Sequence, residues 1–430
     1  MSRDPKLNWS DYFSEETSRT KIDWSNPDLL KKLFGFDRSS GFIVERSEEI
    51  RNFNPEYSQL AINIKTILNI LGPKEGKKEI EAELERLAEF TPLPDDASLD
   101  EIAFALRDLA FIQNAILHCD QTEVVADKKF EIPNKLAKPL VNLAERLGIP
   151  PLMSYPLYIL YNAKKAEDDK VGIRYDARNT FTSSHSPEIL TAALHEENPK
   201  HNDEAHFIRI HLGIEVESAN LFQSMFEILS TPPEKLTENK KLILDRIEQM
   251  TQSLDKMTRD NLTMMYFGTG KEAFNDIIRT FLQGTKKLGG VFSKEDGFMV
   301  SNHDGGSGAQ TPLFMILDAF LGNEQSLEVK EFRKNQMEFI LPSAKNLIKA
   351  VEKDSKSIMD FVKGDIEVGA ALIGFTEKLV DYRDAHMRMV SKYIGGQQGT
   401  GGSTPKVLIN LREGTRTLGE NLQKGIFSKG

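Results

Sequence analysis

The sequence predicts an all-α protein, a helical bundle with a smaller, mostly helical domain on its N-terminal side. Apolar residues recur three and four positions apart in segment after segment. Strand-like alternation is nearly absent, with 290–300 as the one candidate for a short hairpin. At 430 residues the chain can bury a large core and exceeds the usual single domain.

Taken in order, residues 1–55 are rich in Asp, Ser, Asn and Arg and weakly periodic, which reads as an irregular arm with one short helix near 28–34. Helical periodicity then covers 57–71, 78–90, 98–118, 134–147 and 153–165. Gly148-Ile149-Pro150-Pro151 separates two of these, glycine ending one helix and proline opening the next. The expected division is a small helical domain over 56–148 and a large one over 149–430. Between them in character lies 166–202, polar and aperiodic, expected to be a lid, a binding segment or a disordered loop. Helices resume at 203–229, 236–266, 272–287, 312–321, 328–352, 366–394 and 405–423.

Hydrophobic content of 39% and charged content of 28% are ordinary for a soluble globular chain. The net charge of −10 speaks against nucleic acid and against an anionic membrane surface as partners. Cys119 is the only cysteine, which excludes an intrachain disulfide and a cysteine-based zinc site. The segment from Met1 to Tyr12 lacks the apolar core of a signal peptide, and no window has the apolar length of a membrane span. A cytoplasmic protein with no membrane partner is expected, its oligomeric state open.

Within 366–394, His386 falls on the apolar stripe formed by Leu372, Phe375, Leu379, Tyr382, Met389, Val390 and Tyr393. Spacing alone reads it as a core histidine. Arg383, three residues earlier on nearly the same face, complicates that reading, because a buried guanidinium needs an anionic partner. An imidazole so placed can serve as a haem axial ligand, with the arginine meeting a propionate. The loop from Gly395 to Thr404 lets backbone approach a ligand, or is merely flexible. It is not a phosphate loop, since Gly402 stands where that motif needs lysine.

His211 also lies on an apolar stripe, with Phe207, Ile210, Ile214, Leu221 and Met225, and could equally be a core histidine bonded to a backbone carbonyl. Arg279 reads either as a carboxylate clamp or as an exposed helical arginine, with Ile278 and Phe281 suggesting a buried neighbourhood. His195, Glu196, His201 and His206 lack the spacing that places two imidazoles on one helical face, so a solvated polar loop is expected there. No nucleophile elbow or dinucleotide fingerprint is present.

Arg383-x-x-His386-x-x-Met389-Val390-x-x-x-Ile394-Gly395, then Gly399-Thr400-Gly401-Gly402-Ser403 and Leu411-Arg412, resembles the C-terminal signature of the haem-dependent tryptophan 2,3-dioxygenase and indoleamine 2,3-dioxygenase superfamily. The resemblance implies haem b with His386 as its axial ligand, Arg383 at a propionate and Thr400 near the substrate ammonium group. The segment 203–211 is similar to the one that supplies a distal phenylalanine and histidine, here Phe207 and His211. Phe274 to Arg279 resembles the segment whose arginine binds the amino-acid carboxylate. Gly305-Gly306-Ser307-Gly308 looks like the loop over the haem, which would put Gly306 and Ser307 at the cofactor and Ser307 and Gly308 over the substrate; a helix-capping turn would also explain it.

Tyr155 falls on the pocket tyrosine of the indoleamine enzymes, while Tyr158 replaces a smaller residue. The likeness covers roughly 98–424 in patches and mixes branches. The N-terminal half is indoleamine-like; His211 and the Gly-Thr-Gly-Gly-Ser loop are tryptophan-dioxygenase-like; Asp203 to His206 and Leu106-Arg107-Asp108 are similar to the monodechloroaminopyrrolnitrin synthases. It implies a haem-dependent dioxygenase in tryptophan catabolism, using O2 and an indole amino acid to give an N-formylkynurenine-type product. Two alternatives stand beside it: a superfamily haem oxygenase acting on another indole or aromatic amino acid, and a non-catalytic haem-binding or interaction protein.

Overall fold

The computed structural model of the chain describes residues 22–47, 49–118, 129–164, 173–175, 181–183, 188–189 and 203–427. Residues 1–21 of the expected arm, Cys119, and the His195, Glu196 and His201 group lie outside the described residues.

The body is helical, as predicted. Helix α1 (Pro27–Phe34) starts where Asn26 accepts the Leu29 N–H and Pro27 fills the first turn. Its apolar side buries Leu30, Leu33 and Phe34. Just before it, Trp24 stacks with Phe34 and Phe226 at centroid separations of 6.0 and 5.3 Å and donates through Nε1 to Asp354 at 2.8 Å. Phe36 meets Phe42, Phe222 and Phe226 edge-on. The described part of the arm is therefore fastened to the large body by aromatic packing.

After a two-residue strand β1 (Glu45–Arg46), α2 (Pro55–Arg86) is two helices joined across a kink, as the separate periodic runs 57–71 and 78–90 led one to expect. Gly72, at φ 74° and ψ 172°, absorbs the bend ahead of Pro73, which cannot donate a backbone hydrogen bond. Helix α3 (Leu99–His118) is buried almost all round, between α2 on one side and α4 (Asn134–Leu147) on the other.

The expected helix at 153–165 is a correction. Only 155–160 turns helically, in a wide π-type turn closed by Tyr161 N–H donating to Pro156 O at 2.9 Å, and β3 (Ala163–Lys164) follows. Tyr155 and Pro156 start the turn too close to that strand for a longer helix. Inside 166–202 the described residues form short strands, β4 (Ile173–Tyr175), β5 (Phe181–Ser183) and β6 (Glu188–Ile189), where an aperiodic loop was expected. Strands of two or three residues are too short to show alternation.

Helix α5 (Asp203–Ser230) packs along α6 (Lys240–Lys256), which continues through a π-type stretch (Met257–Leu262) into α7 (Thr263–Gly268). A helical segment at 271–281 leads to the predicted hairpin, β7 (Val291–Ser293) against β8 (Met299–Ser301). Strand β2 (Phe130–Ile132) joins β7 in parallel, a pairing the sequence pattern did not suggest.

Next come α8 (Leu313–Leu321), α9 (Leu327–Met337), α10 (Pro342–Gly364), α11 (Ile366–Tyr393) and α12 (Pro405–Phe427). The single helix expected at 328–352 is broken because Leu341 precedes Pro342 and takes an extended conformation, ψ 144°. Helix α11 is central: it packs against α6, α10 and α12. Among the described residues no helix is long and apolar enough to cross a membrane.

Replacing Phe226 by Ala removes the ring that Trp24, Phe36 and Phe222 share. Urea unfolding is expected to show a loss of about 3–5 kcal/mol; an unchanged midpoint would show that the arm is not held by this cluster.

Candidate functional site

Helices α5 and α11 face each other across an apolar cavity of about 230 Å³, and each contributes one imidazole to its wall. His211 comes from α5 with Phe207 one turn before it; His386 comes from α11 with Arg383. Both histidines lie deep in the protein, and the surface they expose belongs to the cavity.

Burial pushes the His211 pKa down to about 4, with the nearby His386 adding a smaller push in the same direction. Its Nδ1 lies 2.8 Å from Phe207 O. A carbonyl only accepts, so Nδ1 carries the proton and Nε2 is left as an acceptor. The two readings of this residue thus coincide: one nitrogen is bonded to a backbone carbonyl and the other is free to serve a ligand. His386 is likewise pushed down to about 4, by burial and then by Arg383. It has no hydrogen-bond partner among the described residues. A neutral, buried, unpartnered imidazole on a cavity wall is the donor an axial metal position requires. The residues present fit a haem.

Two glycine loops close the cavity, and they interlock. Gly305 N–H donates to Thr400 O at 2.9 Å, and Thr400 Oγ1 donates to Gly306 O at 2.5 Å. A Cβ on Gly305 would stand 2.1 Å from Leu282 O, and one on Gly401 would stand 2.4 Å from Ser307 Cβ. Only glycine permits either approach. Ser307 Oγ accepts Ala309 N–H at 3.2 Å, so the capping reading of this turn holds while Ser307 and Gly308 also line the cavity. Gln310 locks the arrangement: its Nε2 donates to Gly305 O at 2.9 Å and its Oε1 accepts Tyr155 N–H at 2.9 Å.

Arg279 is half-buried beside buried Ile278 and Phe281. Its Nη1 donates to Gln397 Oε1 at 2.9 Å and its Nη2 to Gln398 O at 2.8 Å. Both acceptors are neutral, so its charge is not compensated by a carboxylate among the described residues. Phe274 packs against Phe207 and Tyr393, at 5.9 and 4.8 Å between centroids. Tyr155 meets His211 edge-on at 5.8 Å and donates its hydroxyl to Glu215 at 2.8 Å. Tyr158 also lines the cavity and donates to Glu204 at 2.5 Å.

The structure brings together every residue singled out for this site: Phe207, His211, Ser307, Arg279, Thr400, Tyr155, Phe274, Gly308, His386, Arg383 and Gly306 all line the cavity or pack directly on its wall. His206 stands apart, bonded to Thr269 Oγ1 at 3.0 Å, and among the described residues no group of three metal-ligating side chains exists.

The sequence pattern of the indoleamine 2,3-dioxygenase family matches residues 31–412. The chain belongs to that family. Among individual members it is similar to the indoleamine 2,3-dioxygenase acdA of Aspergillus candidus, 27% identical over 61% of this chain and 65% of that one. A protein named myoglobin from Haliotis diversicolor is 24% identical over 61% of this chain and 65% of its own. The 6-hydroxytryptophan 2,3-dioxygenase fscD of Fusarium equiseti is 22% identical over 79% of this chain and 85% of its own. The chain thus spans just under two thirds of the length of the Aspergillus and Haliotis relatives.

Sequence reasoning about this indoleamine 2,3-dioxygenase family member missed three polar residues, two behind the cavity wall and one, Arg333, on it. Glu215 stands one turn after His211, fully buried, with Tyr155 and Thr311 hydroxyls both donating to Oε1. Asp318 is the lone charge in the apolar α8, and Arg333 of α9 pairs with it. A carboxylate inside a helix otherwise made of Leu, Phe, Met, Ile and Ala was the available signal.

Four buried histidines, His118, His206, His211 and His386, have pKa values lowered to about 4 against 6.5 when unfolded. Between those values the unfolded chain binds more protons, so stability is full above pH 6.5 and falls as pH drops toward 4. His118, which does not line the cavity, is the clean test: His118→Gln is expected to make urea stability less steep in this window, by up to about 1.4 kcal/mol per pH unit. A slope equal to that of the unaltered chain would count against it.

Proposed function

We propose that the protein is a haem-dependent dioxygenase that inserts both atoms of O2 across the indole C2–C3 bond of tryptophan or a related indole amino acid, giving an N-formylkynurenine-type product. The observation that carries the reading is the neutral, unpartnered imidazole of His386, facing the cavity that His211 enters from the other side. Family membership supports it. When bound, haem b supplies the iron at which O2 chemistry takes place.

His386 would hold the iron. Phe207, His211, Ser307 and Gly308 cover the opposite part of the cavity and exclude water. The free Nε2 of His211 accepts the indole N–H and so orients the ring; with a pKa near 4 it is a weak base, suited to holding a proton's direction rather than removing the proton. Arg279 takes the substrate carboxylate, a charged partner replacing the neutral acceptors of Gln397 and Gln398. Thr400 spends its proton on Gly306 O, leaving its oxygen lone pairs for the substrate ammonium group. Tyr155 and Phe274 shape the apolar walls.

One relative is named for a hydroxylated tryptophan and another is named myoglobin, so two outcomes compete with tryptophan turnover: a substituted indole as substrate, and haem binding without turnover. Incubation of the haem-loaded protein with L-tryptophan, reductant and O2 is expected to yield N-formylkynurenine. Full haem content with no oxidised indole product from either tryptophan or 6-hydroxytryptophan would favour haem binding alone. A colourless protein that takes up no hemin would remove the reading altogether.

His386→Ala is expected to abolish the Soret band of the purified protein; full retention of that band would refute His386 as ligand. Arg279→Ala should raise KM roughly 30-fold or more, matching loss of about 2 kcal/mol from a charged hydrogen-bonded pair. An unchanged KM would show that the carboxylate binds elsewhere.

A further inference from the structure

Asp318 is bound by two guanidinium groups at once. Arg383 Nη2 donates to its Oδ2 at 2.8 Å, Arg333 Nη2 donates to the same oxygen, and Asn323 donates to Oδ1 at 2.6 Å. Burial would raise the carboxyl pKa, but the two guanidinium groups outweigh it and hold it below its ordinary value, so the group is ionised. One negative charge thus faces two positive ones, and one positive charge on the cavity wall is left without a counter-ion among the described residues.

The two arginines are not equivalent. Arg383 directs Nη1 at both Leu411 O and Thr415 Oγ1 and Nη2 at Asp318, so three of its donors are engaged and both partners of Nη1 belong to α12. Its side chain is 9% exposed. Arg333 has one engaged donor, the Nη2 on Asp318; its Nε and Nη1 have no partner among the described residues, and its side chain is 18% exposed, with part of that surface on the cavity. A guanidinium carries five N–H donors in a planar fork suited to a carboxylate. The unspent fork is that of Arg333.

We propose that Arg333, and not Arg383, makes the direct contact to a porphyrin carboxylate, while Arg383 is a positioning residue committed to joining α8, α11 and α12. The inference rests on the haem reading above and names the residue that would anchor the cofactor's acidic edge. The porphyrin carboxylate is favoured over that of an amino-acid substrate by location. Arg333 shares its anchor with Arg383, which lies three residues before His386 on α11, whereas Arg279 is tied to the loop at Gln397 and Gln398.

The test compares hemin with hemin dimethyl ester, whose carboxylates are masked, by the rate at which each leaves the reconstituted full-length protein for excess apomyoglobin. The unaltered protein is expected to release the ester about tenfold faster than hemin. In Arg333→Met the hemin rate should rise about tenfold to meet the ester rate, and the ester rate should stay as it was; Arg333→Lys should fall between. Arg383→Met should speed both porphyrins alike and lower the thermal midpoint. Equal acceleration of both porphyrins in Arg333→Met would make Arg333 structural and overturn the proposal. So would unchanged hemin retention coupled to a weakened spectral response to L-tryptophan, which would move the contact to the substrate. An unaltered protein that binds neither porphyrin overturns the haem reading as well, which distinguishes the two failures.

Discussion

A single ionised carboxylate, buried in the most apolar helix of the bundle, governs how one wall of the cavity is assembled. Asp318 draws Arg333 from α9 and Arg383 from α11 to one point, and Arg383 in turn reaches Leu411 and Thr415 on α12. Four helices are thereby registered against one another by charge-assisted hydrogen bonds with fixed directions. Hydrophobic packing alone would bring these helices together without specifying the rotation of α11 about its axis. That rotation decides whether His386 faces the cavity. Such a cluster is not a cheap source of stability, since desolvation offsets most of its attraction; what it supplies is geometry.

Another part of the cavity wall is built by a different device. Backbone-to-backbone contact between the loops at Gly305-Gly306 and Gly399-Thr400-Gly401 leaves no space for side chains at the crossing. Gln310 then ties this crossing to the backbone of Tyr155, in a part of the chain far away in sequence. Residues from well-separated stretches between Tyr155 and Leu411 meet at the cavity, so the site exists only when the whole bundle is closed.

The sequence was legible where one helix speaks for itself. Helices α4 and α11 were read almost to their ends because capping and periodicity agree: Gly148 stops the first and Asp365 caps the second. His211 and His386 each sit on an apolar stripe that alone reads as core, and it was the resemblance of the residues around them that singled them out. What escaped was non-local. The parallel pairing of β2 with β7 joins residues separated by a helix bundle and leaves no alternation in three-residue strands. Arg333 sits on a helix rich in charged residues and looks like any solvated arginine until Asp318 is placed beside it. The expected join across 338–341 failed for a local reason that was readable, the conformational limit Pro342 imposes on Leu341.

Tyr158 lines the cavity, and its ring is not free to swing aside. Its hydroxyl is held by the buried carboxyl group of Glu204, and its face is stacked against Phe111 at 5.9 Å and tilted against Phe281 at 6.2 Å. Turning the ring outward would break its hydrogen bond to a buried acid and open a void, each carrying a free-energy penalty. The Tyr158 side of the chamber is consequently stiff, and room for bulkier guests must come from the glycine-rich loops.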